Sequence, residues 1–142
     1  MNTNQFPARS PADKVGGLVY FGRMLDKIRA HAKGELPPVY VEKLGNGFDG
    51  RCVRFLGINY EDVVKRVQEG GTDEEIWRWA TARGRKPLDE DIENWNEFMR
   101  KCGWKDSISE TLARRKKESG LGDRDDIETM FQFIDADEGR SA

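Results

Sequence analysis

The stretch VGGLVYFGRMLDKIRAHAK (residues 15–33) decides the predicted fold of this chain. Its apolar side chains recur at alternating spacings of three and four, which is the period of a helix with one apolar face. These side chains are Leu18, Phe21, Leu25, Ile28 and Ala32. Residues 15–22 have no polar side at all, so we predict a long central helix that is buried at first and emerges towards water at its end.

Three glycines interrupt this predicted helix, namely Gly16, Gly17 and Gly22. A glycine inside a helix costs roughly 1 kcal/mol relative to alanine, so each one needs a structural reason. Close approach of a neighbouring backbone is the usual reason, and we therefore expect the helix to be threaded through the core. Ser10 followed by Pro11 is typical of an N-cap and a first helical residue, and this pair is predicted to start the helix.

Asp26 carries the most interesting charge of the central helix. It lies almost in line with Val15 and Val19, so a carboxylate continues a row whose earlier members are predicted to be buried. A salt bridge to Arg23 or Arg29, three residues away on either side, is the commoner role for such a carboxylate. The alternative role is that of a carboxylate at the floor of a pocket.

The composition predicts a soluble, single-domain protein. The chain has 142 residues, of which 35% are charged and 37% hydrophobic, and its mean hydropathy is −0.79. No apolar run approaches the roughly 20 residues that span a bilayer, and the N-terminus lacks the apolar segment of a signal peptide, so we expect a cytoplasmic location without membrane association. We expect residues 1–9 to form a flexible arm and residues 135–142 a frayed acidic tail.

Charge is nearly balanced over the whole chain but unevenly distributed along it. The net charge of −2 and the pI near 5.6 give no overall attraction to nucleic acid. Basic residues outnumber acidic ones in residues 1–71, and the reverse holds for the rest, so an anionic ligand is expected in the first half. The basic run RRKK (residues 114–117) is interpreted as the exposed face of a helix.

Start and stop signals divide the chain into helices and predict an all-α fold. Asn59 is a predicted N-cap, and Thr72 with Glu75 and Ser107 with Glu110 are predicted capping boxes. We predict a compact bundle of about seven short helices around the central N-terminal helix, with Pro37–Pro38 excluding helix and allowing a minor extended segment near 39–44. The other predicted helices span residues 51–56, 60–69, 73–83, 88–102, 108–119 and a last segment beginning near 123–126.

The segment GNGFDG (residues 45–50) matches the pattern GxGxxG of dinucleotide-binding loops. The match is weak, because a dinucleotide fold needs a strand before this loop and a long helix after it, whereas the following predicted helix has about two turns. Asp49 inside the loop also repels phosphate. We therefore interpret the segment as a glycine-shaped loop that covers the mouth of a pocket.

Cys52 and His31 are the candidates for catalysis. A thiolate and an imidazole form a nucleophilic pair when a third group such as Asp26 or Asp49 orients the ring. The other cysteine, Cys102, lies 50 positions further on, and neither cysteine belongs to a CxxC motif, which is typical of reduced, buried thiols. A buried cysteine with no catalytic role is the commoner case, and the sequence predicts no metal site and no cofactor.

Several longer phrases resemble a known family. They are SPADKVGGLVYFGRMLDKIRAHAKGELP, GFDGRCVRFLGI, GGTDEEIWRWATARGRKP, WNEFMRKCGW and GLGDRDDIETMFQFIDADEGR. In this order and over nearly the whole chain they are similar to the mainly bacterial family known as domain of unknown function 5069. The resemblance implies a small, largely helical, soluble single domain, and it carries over no activity, cofactor or binding residue.

The leading hypothesis is a binding domain without catalysis, which holds a small anionic ligand or an acidic peptide beside the central helix. The predicted ligand-binding residues are Arg23, Asp26, Lys27, Asp49, Arg51 and Arg54. An enzyme that uses Cys52 and His31 in acyl or thiol chemistry is the first alternative. A protein-interaction scaffold is the second, and it predicts an exposed apolar patch around Trp77 or Trp79. The oligomeric state stays open.

Overall fold

A short β-hairpin opens the described part of the chain, and helices make up nearly all the rest. The computed structural model describes residues 6–140. The elements in chain order are β1 (Lys14–Val15), β2 (Leu18–Val19), α1 (Phe21–Ala32), α2 (Pro38–Val41), α3 (Phe48–Leu56), α4 (Tyr60–Gln68), α5 (Asp73–Arg83), α6 (Asp89–Lys101), α7 (Ser109–Glu118) and α8 (Met130–Asp137). The predicted bundle of short helices around an N-terminal helix is therefore confirmed, with eight helices in residues 6–140.

The first half of the predicted central helix is wrong, because residues 14–19 form the hairpin. Strands β1 and β2 are antiparallel, with Val15 opposite Leu18. Gly16 and Gly17 make the turn at φ values of 61° and 81°, which is the left-handed backbone that a two-residue hairpin turn requires. Helix α1 begins only at Phe21. The lack of a polar side in residues 15–22 thus reflects a buried hairpin and not a buried helix.

Side chains of α6 hold the hairpin in place. The Asn96 side chain accepts a hydrogen bond from the backbone of Val19 at 2.9 Å and donates one to the carbonyl of Gly17 at 2.8 Å. The indole of Trp95 donates to the carbonyl of Val19 at 3.1 Å. The polar backbone groups of so short a sheet are thereby satisfied from outside it.

The glycines approach side chains and not a neighbouring backbone. A Cβ added to Gly16 would lie 2.2 Å from the Trp77 ring. Gly22 is inside α1, and a Cβ there would lie 2.7 Å from the guanidinium of Arg9. The expectation of close backbone contact along the first helix is therefore wrong, although close packing is the reason for Gly22.

The apolar face of α1 is the middle of the main core. Phe21, Met24 and Leu25 are fully buried, and α1 packs against α4. A second cluster, which includes Leu112 and Phe133, lies between α7 and α8. Ala32, the last member of the predicted apolar face, is exposed.

Two of the predicted helix starts are confirmed, whereas those at Ser10–Pro11, at Ser107 and near residues 123–126 are wrong. Asn59 caps α4, and the Thr72 capping box opens α5. Ser107 caps nothing, because α7 begins at Ser109 and its N-cap residue makes no side-chain cap. The last helix begins later than predicted, at a capping box formed by Thr129 and Gln132.

The segment near 39–44 and both ends of the chain also differ from the prediction. Pro38 is the first residue of the short helix α2, where proline is tolerated, so residues 38–41 are helical and not extended. Ala8 is buried, which contradicts a flexible arm over residues 6–9. Residues 135–137 are helical and the side chain of Glu138 is only 2% exposed, so residues 135–140 are not a frayed tail. Residues 1–5 and 141–142 lie outside the described part.

Within residues 6–140, the longest helices fall short of the length and apolar character needed to cross a membrane. The longest of them, α6, has 13 residues and begins with three acidic side chains.

The hairpin turn provides a sharp test of the fold. Gly16→Ala is expected to lower the free energy of unfolding by roughly 3 kcal/mol, since left-handed strain adds to a collision with the Trp77 ring. Gly34→Ala is the matched control, because Gly34 has a similar φ of 71° with nothing within 4 Å, and it is expected to cost roughly 1 to 2 kcal/mol. Urea unfolding measures both values, and equal costs would contradict the packing of Trp77 on the turn.

Candidate functional site

A cavity of about 750 Å³ opens between the start of α1, α2, α7 and α8. We call it the α7–α8 cavity. Apolar and aromatic side chains cover much of its surface. Its charged lining is mostly basic and consists of Arg23, Lys27, Lys43, Arg114 and Arg115, with Glu118 and Asp137 as the acidic members.

A buried carboxylate lies beneath the floor of this cavity. Asp49 is fully buried, and its Oδ1 accepts a hydrogen bond of 2.6 Å from the hydroxyl of Tyr20. The Nζ atom of Lys27 lies 2.9 Å from the same oxygen and donates to the Tyr20 hydroxyl at 2.9 Å. The other oxygen of Asp49 accepts the backbone N–H of Gly45 at 3.0 Å. Both oxygens of the carboxylate therefore have partners inside the protein.

Burial shifts the pKa values of the groups that contact Asp49. It lowers the pKa of Lys27, an effect that the negative charge of Asp49 opposes. Burial also raises the pKa of Tyr20 well above its usual value, and Asp49 raises it further. Tyr20 consequently stays protonated at neutral pH and remains a hydrogen-bond donor.

Tyr20 also has an unusual backbone. Its φ of 75° is positive, and within residues 6–140 only Lys105 shares this feature among residues other than glycine. The conformation is held because the backbone N–H of Tyr20 donates to the carbonyl of Pro11 at 2.9 Å and its hydroxyl is bound to Asp49. Such strain is found preferentially at functional sites.

A second buried ion pair closes the cavity beside α8. The guanidinium of Arg23 donates to both carboxylate oxygens of Glu138, at 2.8 and 2.5 Å. Tyr40 donates its hydroxyl to Glu138 at 3.0 Å, and Arg140 donates to it at 2.6 Å. The side chains of Arg23 and Glu138 are only 3% and 2% exposed. The positive charge of Arg23 is thus neutralised inside the protein.

Lys43 and Arg115 are the cations of this cavity that remain without such a partner. Neither makes a salt bridge to a carboxylate of residues 6–140, whereas Arg114 lies 3.9 Å from Glu118. Partial burial lowers the pKa of Lys43, and the positive charges of Arg115 and Lys27 lower it further, whereas the negative charges of Asp137 and Glu118 oppose this shift. This wall of the cavity therefore carries more positive than negative side chains.

Asp26 belongs to a different network on another side of α1. Its carboxylate accepts two hydrogen bonds from the Arg9 guanidinium, at 2.8 and 2.9 Å. It also lies 3.3 Å from Arg29, and both guanidiniums reach Asp73 at 2.8 Å. Asp26 does not line the α7–α8 cavity. The common role of a salt bridge to Arg29 is the one observed, with Arg9 as an additional partner.

The structure divides the six predicted ligand-binding residues into two groups. Arg23 and Lys27 line the cavity, and Asp49 is bound to Lys27 beneath it. Arg51 and Arg54 are exposed on α3 and, like Asp26, are absent from the cavity wall. The guanidinium of Arg51 instead covers the ring of Phe98 at 5.5 Å.

The thiol and the imidazole of the catalytic alternative lie in unlike environments. Cys52 is fully buried, and burial raises the pKa of its thiol. His31 is exposed in the last turn of α1, and no hydrogen bond joins the two within the described residues. A thiol held in its protonated form is a poor nucleophile. Over residues 6–140, no three His, Cys, Asp or Glu side chains come together as a metal site requires.

Four important residues of the site did not emerge from the sequence. Tyr20 was counted among the apolar residues of the segment 15–22. Glu138 was assigned to a frayed tail. Arg115 belongs to the basic run that was interpreted as an exposed face. Lys43 gave no signal at all. In the glycine-rich segment, Asn46 and Gly47 line the cavity.

The buried ion pair of α8 is open to a stability test. Glu138→Ala is expected to cost roughly 3 to 5 kcal/mol, because Arg23 is left charged and unpaired in the interior. Asp126→Asn, which breaks an exposed pair with Arg124, is expected to change the stability little and serves as control. Urea unfolding measures the stability of both variants. If Glu138→Ala lowers the stability as little as Asp126→Asn does, the buried pair of Arg23 and Glu138 is contradicted.

The Asp73 network predicts a dependence on acid. Although partial burial opposes ionisation, Arg9 and Arg29 lower the pKa of Asp73 below its usual 3.8. Its ion pairs therefore stabilise the fold above that pH, and this contribution is lost as the pH falls through the lowered pKa. Between about pH 5 and about pH 2, the free energy of unfolding of the Asp73→Asn variant should fall less steeply than that of the wild type. Glu74→Gln, in the same turn, should keep the wild-type slope.

Comparison with known proteins assigns a family to all of the described part of the chain. The model of a family described as domain of unknown function (DUF5069) matches residues 5–140, a range that includes the hairpin, the glycine-rich segment and α8. Among curated proteins, no significant match was found. This chain belongs to the DUF5069 family.

Proposed function

We propose that this protein is a binding domain without catalysis, which holds a small anionic ligand in the α7–α8 cavity. The observation that carries the proposal is the wall formed by Lys43 and Arg115, two cations that make no salt bridge to the described carboxylates. Neighbouring like charges destabilise each other until a counter-ion neutralises them. An anion bound between these side chains removes that repulsion.

The size of the cavity favours a small molecule over a peptide. Ligand sites for small molecules commonly enclose about 300 to 1,000 Å³, and the α7–α8 cavity of about 750 Å³ falls within this range. Of the two cations without a salt bridge to the described carboxylates, Arg115 is on α7 and Lys43 is in the segment after α2. A ligand that contacts both would therefore connect two separate parts of the chain.

The surroundings of the floor favour binding over catalysis. Tyr20 and Lys27 are bound to Asp49, and Arg23 is bound to Glu138. A general acid or base must be able to reach the substrate, and these groups are already engaged inside the protein. Cys52, the nucleophile of the alternative hypothesis, is buried with a raised pKa.

The scaffold hypothesis draws less support from the packing of the tryptophans. The ring of Trp77 packs edge-on against Phe21 with centroids 5.2 Å apart, and it also contacts Gly16. Trp79 is likewise packed against the main core. The side chains of these two residues are therefore only partly exposed, which gives the scaffold hypothesis less support.

Calorimetric titration with inorganic phosphate and with citrate tests the proposal. The titration is run at low ionic strength, because salt screens exposed charges. We expect binding of at least one of the two anions, with a rise in the thermal unfolding midpoint. Lys43→Ala and Arg115→Ala are each expected to weaken it roughly tenfold or more, since each removes a charged hydrogen-bond donor.

Lys117→Ala is the matched control. Lys117 lies on the same helix as Arg115 and carries the same charge as Lys43, but it is exposed and does not line the cavity. This variant is expected to bind as the wild type does. If neither anion binds, or if all three variants bind equally well, the proposal is wrong.

A further inference from the structure

The α7–α8 cavity combines cations on α7 and in the segment after α2 with apolar side chains on its floor, on α8 and on α2, and this combination restricts the kind of anion that fits it. We infer that the ligand is an amphipathic organic anion, with one phosphate or carboxylate group bound by Lys43 and Arg115 and an apolar body against the floor and the α8 side. This inference rests on the proposed function and adds the ligand class and its orientation.

The floor offers few free donors to a second charged group. The hydroxyl of Tyr20 donates a hydrogen bond to Asp49. The amine of Lys27 donates to the Tyr20 hydroxyl and forms a salt bridge with Asp49. The guanidinium of Arg23 donates hydrogen bonds to Glu138 and to the carbonyl of Arg9. A strongly hydrated group placed here would lose its water without gaining equivalent hydrogen bonds.

Apolar side chains border the floor and part of the α8 side of the cavity. Phe48 is fixed edge-on against Tyr20, with centroids 5.7 Å apart at an angle of 82°. Phe133 and Met130 border the cavity from α8 with only 4% and 6% of their surface exposed, and Val39 lines it from α2 with 55% exposed. An exposed valine beside a hydrophobic cavity gains stability when an apolar ligand covers it.

The acidic residues of the cavity limit the ligand to one charged group. Glu118 and Asp137 both line it, and Glu118 lies near Arg114. A second anionic group extending past Lys43 and Arg115 would meet these carboxylates. The charge distribution therefore favours one anionic group on an apolar body over a polyanion.

Calorimetry with matched probes tests the inference. Phenyl phosphate is expected to bind roughly tenfold or more tightly than inorganic phosphate, because its ring is removed from water. Hexanoate is expected to bind more tightly than acetate for the same reason. Phenol, which has the ring without the charge, is expected to bind more weakly than phenyl phosphate.

Variants separate the two halves of the site. Val39→Ser is expected to weaken binding of phenyl phosphate several-fold and to leave binding of inorganic phosphate unchanged. Arg115→Ala is expected to weaken both probes. Val41→Ser, on the same short helix but outside the cavity wall, is the control for Val39→Ser and should bind as the wild type does. Val39 is exposed, so its substitution leaves the core intact.

The possible results distinguish this inference from the proposed function. If inorganic phosphate binds as tightly as phenyl phosphate and needs Arg115, the proposed function stands and the amphipathic class is wrong. If Val39→Ser leaves every affinity unchanged, the orientation is wrong. If no probe binds, both the proposed function and this inference are overturned.

Discussion

The buried carboxylate of Asp49 is the constraint on which the rest of the structure depends. A charge in the interior costs several kcal/mol unless it is paired and hydrogen-bonded, so the segments that supply its partners must stay together. These segments are the end of the hairpin through Tyr20, helix α1 through Lys27 and the glycine-rich loop through Gly45. One side chain thereby fixes three parts of the chain and places the floor of the cavity between them.

The pair of Arg23 and Glu138 does the same for the far end of the chain. It ties α1 to the residue after α8, and Arg140 extends the link to the carbonyl of Ala8. The interior cations are consequently neutralised by buried carboxylates, whereas Lys43 and Arg115 at the cavity wall make no salt bridge to a carboxylate of residues 6–140. A cavity with a neutralised floor and a positive wall follows from this division of charge.

Local signals explain how much of the fold was predictable. Asn59 and the Thr72 capping box act within a few residues, so their effect could be read directly from the order of amino acids. The pair Gly16–Gly17 was ambiguous, because apolar residues on both sides of it agree equally with a buried helix and with a buried hairpin. Two contacts favour the hairpin. The Trp77 ring leaves no space for a side chain at Gly16, and the Asn96 side chain forms hydrogen bonds with the backbone of Val19 and Gly17. Both contacts come from residues far along the chain.

The sequence by itself determined the helical class, most of the helix boundaries and the family, since periodicity, caps and long matching phrases are properties of neighbouring residues. It also pointed to Arg23, Lys27 and Asp49, which do come together. Only the tertiary structure decided that Asp26 pairs with Arg9 and that Arg23 meets Glu138, a residue 115 positions away. The physical reason is that a salt bridge depends on distance in space, and distance between remote segments is set by the packing of the whole core and not by their separation along the chain.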